Sequence, residues 1–215
     1  MPLASIHFIF IFLPLVLILY IIPNSKYRNL VLLFASLIFF LWGDPGYLPV
    51  LLASILINYF FGLAIGIPKE GEQGKKRVVL LWAAICINLA ILVFYKYLGF
   101  FADNLQVLIN RPLAIKILGL PLGISYFTFS AISYVVDIYN QVEPPEKNLI
   151  RFSTYLAMFP KLLQGPITRF TQIRTQIVTP VYSLDGIIHG SRRFIAGLAK
   201  KVILADNLAV VADKV

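Results

Sequence analysis

Five apolar runs of near-bilayer length restrict what this chain can fold into: roughly Ile6–Ile22, Leu30–Trp42, Leu48–Ile67, Val78–Tyr95 and Leu122–Tyr139. A helix crosses the hydrocarbon of a bilayer with about 20 mostly apolar residues. The second run is shorter and stops at Gly43-Asp44-Pro45-Gly46, a turn cluster that no helix continues through, so its helix is either tilted or extended backwards through Tyr27. Composition agrees, with 59% hydrophobic and 13% charged residues, against about 45–50% and about 25% in soluble domains. A water-soluble fold of this size has no interior large enough for that apolar surface. The fold class that follows is all-α: a polytopic integral membrane protein of about five transmembrane helices, with re-entrant and interfacial amphipathic helices, in a single membrane domain over 1–215.

Charge placement orients the spans. No basic residue precedes the first run and no small-x-small cleavage pattern follows it, so it reads as a retained span rather than a signal peptide. Lys26 and Arg28 lie between runs one and two, and Lys69, Lys75, Lys76 and Arg77 lie between three and four, while 43–47 holds no Lys or Arg. Basic residues collect in short cytoplasmic loops. The alternation puts the N-terminus outside, and the chain reads as a multi-pass protein of the cytoplasmic (inner) membrane. From Lys147 onward ten Lys or Arg stand against three acids. Interleaved with apolar segments, that excess points to anionic lipid headgroups and excludes nucleic acid as a partner.

Three segments are not simple spans. Lys96–Pro121 holds short apolar pieces punctuated by Arg111-Pro112 and Pro121-Leu122-Gly123, which suggests interfacial or re-entrant helices. In Leu149–Leu163, the residues Leu149, Phe152, Leu156, Phe159 and Leu163 share one helical face. Pro160 should interrupt that helix, and Gln164-Gly165-Pro166 breaks the chain, a backbone tolerated at membrane depth only beside protein or a water-filled cavity. Ser183–Leu204 is amphipathic, with Ser183 as N-cap, Asp185 in the first turn and an apolar stripe through Leu184, Ile188, Ile195, Leu198 and Val202. It fits a helix in the membrane interface or one packed on protein equally well.

Chemistry-bearing residues are sparse. In run five, Tyr126, Ser130, Ser133, Tyr134 and Asp137 recur at helical spacing, as a helix-packing face or as the wall of a substrate tunnel. Asp137 is expected to pair with a neighbouring Lys or Arg. His7 and His189 stand apart, and neither sits in a catalytic pattern. Cys86, the one cysteine, lies inside an apolar run as a packed or lipid-facing residue. No His/Cys/Glu set has metal-ligand spacing, and there is neither a phosphate-cradling glycine loop nor a serine elbow.

Specific strings carry more than these patterns do. IHFIFIFLPLVLILYIIP from Ile6, RNLVLLFASLIFFLWGDPGYL, SILINYFFG, NLAILVFYKYLGFF, LPLGISYFTFSAISYVVDIY, FPKLLQGPITRF and GLAKKVILADNLA follow one another in order. Together they resemble the alginate O-acetyltransferase branch of the membrane-bound O-acyltransferase family over nearly the whole chain. The resemblance implies an enzyme that moves an acyl group from a cytoplasmic donor to an extracytoplasmic acceptor such as an exopolysaccharide. Acetyl-CoA or an acyl carrier would be the donor, as substrate rather than as bound cofactor, and polysaccharide-acetylating proteins outside the membrane would be partners. It also implies a ring of helices around a tunnel, for which Ser130, Ser133, Tyr134, Lys161, Gln164 and Arg169 are the candidate residues. The family's histidine acts as a general base and belongs to a Trp-His pair in a helix beyond the GLAKK string. The catalytic residues are therefore expected beyond Val215, with 1–215 as the N-terminal part of the fold, lacking the C-terminal catalytic region and inactive alone. The other reading is a non-enzymatic membrane remnant or an assembly subunit of an envelope polysaccharide-modifying complex.

Overall fold

A computed structural model of the chain describes residues 5–66, 73–109, 119–162, 166–180 and 183–212, and these are helical throughout their regular parts. A π-helical turn, Phe8–Phe12, leads into α1 (Leu13–Ile21), followed by α2 (Ser25–Gly43), a 3-10 turn at Pro45–Tyr47, α3 (Leu48–Gly66) and α4 (Gln73–Ile109). Then come α5 (Ile124–Tyr139), α6 (Leu149–Ala157), α7 (Phe159–Leu162), α8 (Phe170–Val178) and α9 (Leu184–Ala199), with a π-helical segment, Lys200–Ala205, joining α9 to α10 (Asp206–Ala212).

A helix stands at each of the five apolar runs. Two stretches, Pro45–Gly66 and Gly74–Phe101, are long and apolar enough to cross a membrane, with mean hydropathies of 2.1 and 2.6. Their outward faces carry Phe60, Val79, Trp82 and Phe94 exposed, a surface that hydrocarbon tolerates and water does not. The apolar stretches Phe8–Ile21 and Tyr27–Gly43 are shorter. Cys86 is exposed on α4.

Two cores hold the bundle. The larger joins α3, α4, α5, α6 and α8 through Leu51, Ile55, Ala84, Phe127, Phe152 and Phe170. The smaller is aromatic: the Phe159 ring packs 5.9, 5.4 and 5.7 Å from Phe8, Phe12 and Phe39. Between α3 and α5 the Tyr134 ring packs onto Gly62, where an added Cβ would sit 2.6 Å from it. Small residues at such crossings are what allow helices to pack tightly in lipid.

Segment α6–α8 runs up the bundle and back. It starts where the Lys147 carbonyl accepts a 2.6 Å hydrogen bond from Tyr59 near the end of α3. It rises to Leu162, whose carbonyl faces Gly123 at the opposite end, at the start of α5. It returns so that Asn29, near the start of α2, donates to the Ile177 carbonyl at 2.7 Å and Arg28 donates to the Pro180 carbonyl at 2.9 Å. These bonds satisfy carbonyls that a helix end leaves open.

Several sequence expectations are corrected. Lys96–Ile109 is not a separate re-entrant piece, because α4 continues through it without a break. Gly99 costs a helix interior only about 1 kcal/mol, and the strong stop in the sequence is Pro112. Residues 110–118 lie outside the described residues. Pro160 does interrupt its helix, as expected, because the run splits into α6 and α7 just ahead of it. The break falls at Met158 (φ −52°, ψ 113°), and Pro160 sits in the first turn of α7, where its missing N–H costs nothing. The Phe159 amide freed by the break donates to Ser36 Oγ at 3.2 Å. Ser183 does cap α9, accepting from the Gly186 amide at 3.0 Å, but the α-helical part ends at Ala199 instead of Leu204. No residue of α9 is buried, which favours the interfacial reading over packing on the described body.

Candidate functional site

The polar face of α5 divides in two. Ser130, Tyr134 and Asp137, spaced four and three residues apart, are buried, while Tyr126 and Ser133 are half-buried on the adjoining strip. Opposite the buried set stand the aromatic residues of α6 and α8. The Tyr134 ring lies 4.6 Å from Phe152, 6.4 Å from Tyr155 and 5.5 Å, edge-on, from Phe170. The Tyr134 oxygen accepts a 3.0 Å hydrogen bond from the Glu146 amide, which ties the middle of α5 to the strap that enters α6.

Tyr155 is the residue around which the site turns, and no sequence pattern pointed to it. Fully buried on α6, it holds its hydroxyl 3.1 Å from the carbonyls of both Ser130 and Thr168 and can donate to one at a time. The Lys161 amine lies 3.6 Å from the centre of its ring, a close cation–π contact. That amine is inaccessible to solvent and has no hydrogen-bond partner among the described residues. An ammonium without a partner is expensive in an apolar surrounding, so Lys161 is held in place by the Tyr155 face and by the geometry of α7 rather than by a counter-charge.

Asp137 departs from expectation in the same way. It is 6% exposed, makes no ion pair among the described residues, and its Oδ2 has no hydrogen-bond partner there. The basic residues nearby are already engaged: Arg174 pairs with Glu143, and Arg77 bonds backbone carbonyls. Lys161 and Asp137 are thus two ionisable groups in the same buried interior without an ion-pair partner among the described residues, a combination that marks polar function more than packing.

Of the other candidates, Arg169 is exposed at the N-cap of α8, where its amide donates to Gln172 Oε1 at 3.1 Å. It is not part of the buried group. Gln164 lies outside the described residues. His7 is exposed at one end of an apolar groove of about 400 Å³ between α1 and α2, and His189 is exposed on α9. Among the described residues no three His, Cys, Asp or Glu side chains cluster as metal ligands.

A second polar centre lies between the two longest apolar helices. Asn88 on α4 donates to Asn58 Oδ1 at 2.7 Å, and Asn58 on α3 donates to Asn88 Oδ1 at 3.0 Å. Two amides in the middle of apolar runs were the signal for this contact, since polar groups at such depth seek partners on neighbouring helices.

Comparison with known proteins supplies the family. No family model and no solved structure matches the chain. The chain is 38% identical over 217 residues to the probable alginate O-acetylase AlgI of Pseudomonas putida and 36% identical to that of Pseudomonas aeruginosa, in each case over 99% of its own length. It is 31% identical over 238 residues to the peptidoglycan O-acetyltransferase of Helicobacter pylori, with 96% of the chain aligned. It spans 44%, 41% and 45% of those three relatives, less than half of each. The ordered strings, the apolar helices and these alignments agree: over nearly its whole length the chain is similar to alginate O-acetylases, the branch of membrane-bound O-acyltransferases that its sequence resembles.

Proposed function

We propose that this chain works in O-acetylation of a cell-envelope polysaccharide, as the part of a membrane-bound O-acyltransferase that walls the acyl-transfer passage. The observation that carries the reading is the alignment of 99% of the chain with alginate O-acetylases. The buried polar interior of α5, α6 and α7 supports it, because lipid-packed helices have no need of a lysine and an aspartate at depth that find no counter-charge among the described residues. Acetyl-CoA or an acyl carrier protein delivers the acetyl group from the cytoplasm, and partner proteins outside the membrane receive it. The chain is an inner-membrane domain of five spans with its N-terminus outside. Its share in the chemistry is positional: Ser130, Tyr134 and Lys161 line the passage, with Ser133 on the adjoining strip and Arg169 at the start of α8, and Gln164 is assigned to it from the sequence alone. The general base comes from a histidine-bearing segment outside 1–215.

Membranes carrying residues 1–215, alone or together with a polypeptide bearing the family's Trp-His helix, test this with a labelled acetyl donor. Label should reach polysaccharide only when both are present. Transfer by residues 1–215 alone would show the outside histidine to be dispensable. No transfer with both present would overturn the function.

A further inference from the structure

At the end of the bundle where Lys75, Lys76, Arg77 and Arg174 collect, the ends of α3 and α5 and the strap after α5 enclose a pocket of about 360 Å³. Its floor is apolar, with Ile65 and Ile138 fully buried, and its rim carries Arg77, Gln141 and Glu143. Arg77 is fixed there by two backbone carbonyls. Its Nε donates to Ile65 at 3.1 Å and its Nη2 to Tyr139 at 2.9 Å, and its guanidinium lies 5.4 Å from the Tyr139 ring centre. A guanidinium carries five N–H donors. Two are engaged, and the others have no acceptor among the described residues.

A rigid fork with spare donors, set at the rim of a small cavity, is suited to two oxygens of one phosphate. Glu143, the acid of the rim, is already neutralised by its ion pair with Arg174. The pocket therefore presents a net positive rim to an anion and an apolar floor to whatever the anion is attached to. We propose that this pocket binds a phosphate group carried on an organic ligand, with Arg77 as its principal anchor. Two sources share that chemistry: the headgroup of a phospholipid in the adjoining leaflet, and the phosphates of a soluble coenzyme. The site does not depend on the chain's role in acyl transfer.

The test uses the protein purified in an uncharged detergent. Thermal stability is followed as dihexanoyl-phosphatidylglycerol, coenzyme A or inorganic phosphate is added, with dihexanoylglycerol and matched potassium chloride as controls. A saturable rise in Tm with a phosphate-bearing probe, absent from both controls, supports the proposal. A rise with the lipid alone assigns the headgroup, and a rise with coenzyme A alone assigns the coenzyme. Arg77→Lys keeps the charge but loses the fork, and should weaken binding about tenfold, the difference between two aligned hydrogen bonds and a point charge. Glu143→Gln leaves Arg77 untouched and should tighten binding about threefold, as expected for removing one unit charge a headgroup's width away in water. The proposal is overturned if no phosphate-bearing probe exceeds the salt control. Unchanged affinity in Glu143→Gln together with unchanged affinity in a folded Arg77→Lys overturns it equally.

Discussion

Asn58 and Asn88 exchange two hydrogen bonds between α3 and α4, each amide donating to the other's side-chain oxygen at 3.0 and 2.7 Å. Each also donates to a carbonyl one turn back on its own helix, Asn58 to Ser54 at 2.9 Å and Asn88 to Ala84 at 2.8 Å. Both amide groups are saturated, and both residues are buried, at 0% and 2% exposure. The pair fixes the register of the two helices, together with the Arg77 bond to the Ile65 carbonyl near their shared end.

Replacing one partner breaks more than the shared bond, because it orphans the other amide. Asn88→Leu should cost about 1–2 kcal/mol. The double change Asn58→Leu/Asn88→Leu should cost less than the sum of the two single changes. Thermal unfolding of the four proteins in one detergent gives the cycle, and strict additivity would show that the amides are not coupled.

Gly123 occupies a left-handed conformation (φ +68°), and a Cβ there would collide with the Leu162 carbonyl of α7. Gly123→Ala combines both penalties, about 1–2 kcal/mol for the backbone and about 1–3 kcal/mol for the overlap. Gly62→Ala meets the Tyr134 ring at 2.6 Å without a backbone penalty and should be milder. The predicted order in Tm is wild type, then Gly62→Ala, then Gly123→Ala, while Gly46→Ala, with nothing within 4 Å of the new methyl, should match wild type.

Lys161 offers a test with opposite signs. Its amine has no partner among the described residues, so Lys161→Met keeps the length of the side chain and removes a buried polar group that costs about 1–3 kcal/mol. Stability should rise. If the amine serves the passage, acetyl transfer by the assembled enzyme should fall in the same variant. A fall in both would instead make Lys161 a structural residue.

Orientation is readable by cysteine labelling in a Cys86→Ser background. Gly46 can take a side chain freely, and the Lys147 side chain is exposed. A membrane-impermeant maleimide applied to intact cells should label Gly46→Cys and not Lys147→Cys. The reverse pattern would invert the topology.

Much of the architecture was legible because lipid makes a simple demand: apolar runs became helices at all five places, and Ser183 capped the helix it precedes. What escaped was whatever depends on two distant segments meeting. Tyr155 looked like one aromatic residue among many on an apolar face, and only the approach of Ser130, Thr168 and Lys161 makes it the centre of the site. Asp137 was expected to find a cation because it lies near the cytoplasmic end of its span, where basic residues collect. Folding commits Arg77 and Arg174 to other acceptors, and charge counts carry no information about that competition. The helix breaks at Met158, where Ser36 of α2 offers an acceptor to the Phe159 amide, 123 positions away in the chain.

The Arg77 clamp bears on how the protein is made. Its carbonyl partner on α3 lies 12 positions behind it in the chain and its partner on α5 lies 62 ahead. During synthesis the α3–α4 pair can therefore close its own end as soon as Arg77 emerges, well before α5 exists. The second bond has to wait for the Tyr139 carbonyl, so the clamp is complete only once α5 stands beside α3 and α4.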